Sequence, residues 1–350
     1  MRKRAETWLI GIGKYVIGFG VLAAVMYRYW QPDAATGSPG LRHLFGGPIE
    51  WKWLLMSLLM IVVASSLQII RWYLFVCALQ IPFALWRAFQ LGLLGLFANT
   101  FLPGAVGGDV LKAYFLAKDN PAQRTAAIST VLMDRGMGLF GLILFAAVLG
   151  SIAWASGDSN IRIHTELQWV IAWSGAISIA SVSGFVFLGF LPKTQVQRLA
   201  GWLRSLPLIG APLAELWRIL WEFRQHMRMV GYAVGLSAMA HLALVLSFYA
   251  ATRVFAAESP QTDLITLPEL VVIGPIGFIA QALPISPGGV GVGEAAFAGL
   301  FRLLDRPESR GVVARLAMRI AEWVIALAAL IVYFKMREEV RGAKEQLYRE

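Results

Sequence analysis

The chain has 350 residues, 58% hydrophobic and 15% charged, with 31 Lys and Arg against 21 Asp and Glu. Soluble domains carry about 45–50% apolar and about 25% charged residues, so the composition excludes an ordinary soluble protein, a disordered tail and a coiled coil. Cys77 is the single cysteine, which excludes a disulfide scaffold. What remains is an all-α polytopic membrane protein with a basic balance.

An apolar helix needs about 20 residues to cross the hydrocarbon core. In chain order, Met1-Arg2-Lys3-Arg4 precedes a run at 8–30. That run is longer than a signal-peptide core and no small-residue cleavage site follows it, so it reads as an uncleaved anchor. Further runs at 53–77, 125–154, 168–191, 229–255 and 311–334 bring the expectation to six long transmembrane helices. Two segments, 83–102 and 268–285, are broken by Pro and Gly and are predicted to be re-entrant. With a cytoplasmic N-terminus, most of the 31 basic residues fall on the inside, including the tail at 335–350. The cluster Arg302, Arg306 and Arg310 is left on the outer side. Were 268–285 to cross fully, that cluster would move inside and the basic tail out.

The segment 193–228 is divided by Pro207, Gly210 and Pro212. Leu213, Leu216, Trp217, Leu220 and Phe223 follow helical spacing in its second half. Such a helix suits the headgroup layer or the protein's own cytoplasmic surface, and the spacing does not choose between them.

The two broken segments resemble each other. Residues 99–117 read NTFLPGAVGGDVLKAYFLA and residues 281–301 read QALPISPGGVGVGEAAFAGLF. Pro103 and Pro284 are 181 residues apart, as are Gly107 and Gly288; Asp109 and Glu294 are 185 apart. Each copy is a long helix, a broken segment and a long helix, over 53–154 and 229–334. A connecting region at 155–228 separates them within one transmembrane domain spanning 1–350. In the preferred topology the broken segments enter from opposite sides, which makes an inverted repeat. Such repeats are the pattern of alternating-access transport, because unwound backbone survives in a bilayer only where protein or a cavity surrounds it.

These motifs, N-x-F-L-P-G-x-x-G-G-D-x-x-K-x-Y, an Asp-Arg pair on the next helix, and P-x-S-P-G-G-x-G-x-x-E, resemble the flippase-like transmembrane region of lysylphosphatidylglycerol synthases. The stand-alone UPF0104 membrane proteins share that region. The resemblance implies a multi-pass protein of the bacterial inner membrane, with both termini cytoplasmic, that moves a lipid or lipid-linked intermediate between leaflets. It does not reach a soluble aminoacyl-transferring domain, so lipid synthesis is not carried over.

Ionisable residues inside a span cost about 2.5–3.5 kcal/mol on insertion scales and are usually functional. Arg135, Arg315 and Arg319, with Lys112, are the candidates for binding a lipid phosphate, since guanidinium offers planar, forked donors. The alternative is a salt-bridge network that only holds helices together. Asp109, Asp134, Glu294 and Glu322 are candidates for coupling or gating. Arg319 and Glu322 are spaced to pair within their helix. Arg71 and Lys14 read as snorkelling residues, and His241 as a helix–helix hydrogen-bond partner. At the breaks, Asn99, Pro103, Gly107, Gly108, Gln281, Pro284, Pro287, Gly288 and Gly289 have structural roles, with Asn99 and Gln281 satisfying freed backbone groups. His43, His164, His226 and His241 lack metal-ligand spacing, so no metal is expected; nor is any other cofactor or a nucleic-acid partner. Anionic lipids are the expected partners, with a lipid-modifying enzyme or a second copy as further candidates. A membrane-embedded transferase and a non-transporting accessory subunit are the competing functions. Neither has a catalytic motif behind it.

Overall fold

The computed structural model describes residues 2–32, 38–101, 107–157, 159–207, 210–257, 260–283, 285–336 and 338. Pro103, Pro284 and the tail from 339 lie outside the described residues. In chain order the elements are α1 (Arg2–Arg28), α2 (Leu41–Gly46), α3 (Trp51–Ala78), α4 (Leu85–Phe101), α5 (Gly108–Asp119), α6 (Arg124–Ala155), α7 (Ser159–Ile163) and α8 (Thr165–Phe190). There follow α9 (Lys193–Arg204), α10 (Gly210–Phe223), α11 (Met227–Arg253), α12 (Leu267–Ala282), α13 (Val292–Leu303), α14 (Glu308–Ala328) and α15 (Leu330–Lys335). The described residues contain no strand.

Among the described residues, five helical stretches are long and apolar enough to cross a membrane: Trp51–Ala78, Pro121–Ala155, Thr165–Phe190, Trp217–Arg253 and Glu308–Lys335. At about 1.5 Å per residue, the 28 residues of α3 extend about 42 Å. The run at 8–30 also folds as a helix, α1, but it is not among the five.

The two broken segments fold as hairpins. In the first, α4 packs against α5, and Arg87 near the start of α4 meets Asp119 at the end of α5 at 3.2 Å. In the second, α12 packs against α13, and Arg306 beyond α13 reaches Glu269 in the first turn of α12 at 2.9 Å. Each hairpin therefore brings its two ends together. Small residues allow the first to close: a methyl on Gly108 would lie 2.0 Å from the Gly95 carbonyl oxygen. The second closes around Phe297, stacked on Phe248 at 4.1 Å and edge-on to Phe278 at 5.7 Å. Such ring pairs add about 0.5–1.5 kcal/mol each beyond their buried area.

Around these hairpins, α3 and α11 form the most extensive helix contact among the described residues. Ser57 near the start of α3 bonds Ser247 near the end of α11 at 2.9 Å, and Arg71 near the end of α3 bonds Ser237 at 2.8 Å. The two helices are therefore antiparallel. α6 packs on α12 and α14 on α4; both long pairs, α3 with α6 and α11 with α14, are also in contact. α1 lies over the second break, where Gly291 approaches the Gly18 carbonyl.

Among the described residues, the segment 193–228 holds two α-helices, α9 and α10, where the spacing predicts one. Ile219 and Phe223 of α10 are fully buried, and Phe223 sits edge-on to Phe75 of α3 at 5.3 Å. With Met133 and Met137 of α6 they form a separate apolar cluster. That apolar face packs on the protein itself, because α3 and α6 offer it an apolar partner; the side chains of Leu213 and Leu216 lie outside the described residues.

Candidate functional site

Among the described residues, three groups of charged side chains stand out, one at each break and one between α3, α6 and α11.

At the first break, Asn99 on the last turn of α4 accepts the Gly108 N–H at 2.6 Å, which satisfies one of the backbone donors that a helix start leaves open. Asp109 follows in the first turn of α5, where a carboxylate complements the helix dipole. It does not cap the helix through its side chain. Instead it pairs with Lys112 at 3.1 Å and with Arg135 of α6. Lys112 also stands over the Trp72 ring, 5.4 Å from its centre. The Arg135 side chain is 60% exposed, so this group faces outward on one side.

At the second break the chain turns through Gly288, Gly289 and Gly291, with φ of 57°, 66° and 79°. Only glycine adopts that left-handed backbone without strain. Glu294, in the first turn of α13, accepts the Gly291 N–H at 2.7 Å. Arg319 of α14 grips the same carboxylate twice, through Nε at 2.6 Å and Nη2 at 3.1 Å. It also donates to the Gly288 and Gly289 carbonyls at 2.9 and 3.0 Å. Glu294 and Arg319 are both essentially inaccessible. Such a pair offsets its desolvation only because further hydrogen bonds satisfy each partner.

Arg319 is thus occupied by Glu294, not by Glu322 as its spacing predicts. Glu322 instead takes Arg315, two helical turns earlier, at 2.7 Å. The reason is geometric: Glu294 lies across the α13–α14 contact and offers both oxygens, whereas an intrahelical partner offers one edge.

The third group corrects the snorkelling assignment of Arg71. It is 4% exposed and donates to Asp134 at 2.7 Å, to the Asp134 carbonyl at 3.2 Å and to Ser237 at 2.8 Å. One side chain so joins α3, α6 and α11. His241 of α11 bonds the Gly138 carbonyl of α6 at 3.0 Å in the same layer.

The structure therefore brings Lys112, Arg135 and Asp109 together, and separately Arg315, Arg319, Glu294 and Glu322. The four basic candidates do not form one cluster. Asp134 and Arg135, adjacent in sequence, take different partners, as the 100° between neighbouring helix positions requires. Gln281 differs from the expectation: its Oε1 is buried and makes no hydrogen bond. Sequence reasoning gave Arg71 the wrong role and missed Ser57, Ser237 and Ser247, the small polar positions on the α3–α11 contact. Small polar residues within apolar runs are the only signal they give.

Residues 15–329 match the family model described as the lysylphosphatidylglycerol synthase TM region. Two UPF0104 membrane proteins of Methanothermobacter thermautotrophicus are similar. One is 25% identical over 303 residues, covering 81% of this chain and 85% of the relative. The other is 24% identical over 307 residues, covering 81% and 84%. The family match, the apolar helices and the two re-folded breaks agree. The chain is a multi-pass membrane protein that belongs to the lysylphosphatidylglycerol synthase transmembrane-region family.

Proposed function

We propose that the chain moves an anionic phospholipid or lipid-linked intermediate between the leaflets of the cytoplasmic membrane, through a polar interior between two inverted repeats. The observation that carries this reading is a matched lock at each break. In both halves a carboxylate in the first turn of the short helix, Asp109 or Glu294, is held by an arginine on the following long helix, Arg135 or Arg319. In this reading α1 is a sixth span, the hairpins are re-entrant, and both termini are cytoplasmic.

Several contacts support the inverted arrangement. α3 and α11 stand at equivalent places in the two repeats and run antiparallel, as an axis within the membrane plane requires. The contact of α6 with α12 is matched by that of α14 with α4, and α5–α6 by α13–α14. The two breaks also meet: a methyl on Gly288 would lie 3.9 Å from the Thr100 Cα.

The lipid phosphate is drawn first by Arg135 and Lys112, the more accessible cations. Arg315 and Arg319 become available only as Glu294 and Glu322 release them, which gives the acids their gating role. Asp134, tied to Arg71, holds the hinge between α3 and α6. Purified protein in vesicles carrying headgroup-labelled lipids tests this reading. Leaflet exchange above that of protein-free vesicles is expected, slowed when Arg135 and Arg319 are both replaced by Gln. No exchange for any lipid offered would overturn it and favour the accessory or transferase reading.

A further inference from the structure

The charges at the second break cancel in pairs, yet Glu322 alone does not satisfy Arg315. That guanidinium is fully buried, and its Nε and Nη1 have no partner. The Oε1 of Gln281 is likewise buried and unpartnered. Both atoms converge on Gly293, in the first turn of α13: a methyl there would lie 3.1 Å from Arg315 Nε and 3.2 Å from Gln281 Oε1. A buried donor and a buried acceptor left open beside one another call for a guest.

Among the described residues, the first repeat has no such unpartnered pair. Gly108 stands where the second repeat has Gly293, and Asn99 already accepts its N–H at 2.6 Å. Thr130 stands where the second repeat has Arg315, and it is satisfied by the Ala127 carbonyl at 2.7 Å and by Trp72 at 3.3 Å. Among the described residues, the unpartnered pair therefore belongs to the second repeat alone.

We propose that Arg315, Gln281 and the small residue Gly293 form a binding site for a hydroxyl group of a lipid headgroup, the chemistry of a glycerol or sugar polyol. A hydroxyl accepts from Arg315 and donates to Gln281 at once. An ammonium headgroup has nothing to accept with. A phosphodiester has nothing to donate, and its negative charge would enter uncompensated into a buried set already neutral. The proposal rests on the lipid-carrying reading for the source of the guest, but it is read by binding alone.

The test offers the purified full chain, in detergent, an equal mixture of three lipids sharing the same acyl chains. Glucosyl diacylglycerol has hydroxyls without phosphate, phosphatidylcholine has phosphate without a hydroxyl, and phosphatidylglycerol has both. Lipids retained after washing are counted by mass spectrometry. Both hydroxyl-bearing lipids are expected at about tenfold or more over phosphatidylcholine, since a site built around a hydroxyl rejects the analogue lacking it. Gly293→Ala sets a methyl between the two open groups while favouring the helix, and is expected to erase the preference with the folded protein retained. Gln281→Leu, which removes an acceptor that no protein group uses, is expected to do the same.

Equal retention of all three lipids would overturn the site, as expected if only water fills it. So would enrichment of both phosphate-bearing lipids over the glucosyl lipid, which would mean that the Gln281 amide is turned to make an all-donor anion site. A preference that survives in whichever variant stays monodisperse would overturn it as well. Leaflet exchange is not measured here, so a lipid preference without exchange refutes only the transport reading, and exchange without preference refutes only the site.

Discussion

Replacing Glu294 by Gln removes the counter-charge that Arg319 holds at 2.6 and 3.1 Å, while Arg319 itself remains 2% exposed. Losing one partner of a buried pair costs about 3–5 kcal/mol. The Gly288 and Gly289 carbonyls still accept from the guanidinium, so the expected loss lies near the lower end, about 3 kcal/mol. Arg319→Met is expected to cost a similar amount by stranding the carboxylate. The double variant leaves neither charge buried, and should recover about 2–3 kcal/mol relative to the sum of the single losses. Reversible unfolding of the purified protein in mixed micelles, followed by the fluorescence of its 13 tryptophans, measures all three. Strictly additive losses would refute the reasoning, because they would mean that the two side chains are not paired in the folded protein.

The first break should be equally sensitive to its packing. Gly108→Ala would set a methyl 2.0 Å from the Gly95 carbonyl oxygen, where backbone cannot yield, so α4 and α5 must part. A loss of about 1–3 kcal/mol is expected, against a small gain for Gly175→Ala in α8, where the methyl meets nothing within 4 Å; thermal unfolding compares the two. Asn99→Ala strands the Gly108 N–H and should cost about 1–3 kcal/mol, with hydrogen exchange at Gly108 accelerated.

The long spans were legible because some 20 successive apolar residues have few other uses. The breaks were legible because Leu-Pro and the glycine runs recur at matched spacing. What the sequence could not supply was partner choice. Arg319 sits three residues from Glu322, and spacing pairs them; the fold places Glu294, 25 residues away, where both its oxygens face the guanidinium. Arg71 looked like an end-of-helix residue able to reach water. The α3–α11 contact buries it instead against Asp134, 63 residues on, and Ser237, 166 residues on. The cluster Arg302, Arg306 and Arg310 counted only as basic residues left on the outer side. Each of the three has an acid beside it, Glu308, Glu269 and Asp263 respectively. The amphipathic pattern of α10 specified an apolar face and not what covers it. Phe75 on α3 decides that, and nothing local to α10 encodes it. Long-range pairing of this kind is set by topology, which is where single-sequence periodicity ends.

A reversible crosslink between the two breaks tests most directly whether lipid passes where the repeats meet. Thr100→Cys with Gly288→Cys, in a Cys77→Ser background, places the thiols on backbones already in contact. The left-handed φ of 57° at Gly288 costs the cysteine about 1–2 kcal/mol. In vesicles, oxidation of this pair should stop leaflet exchange of labelled lipid, and a reductant should restore it. Exchange at the full rate with the crosslink formed would contradict a path between the repeats.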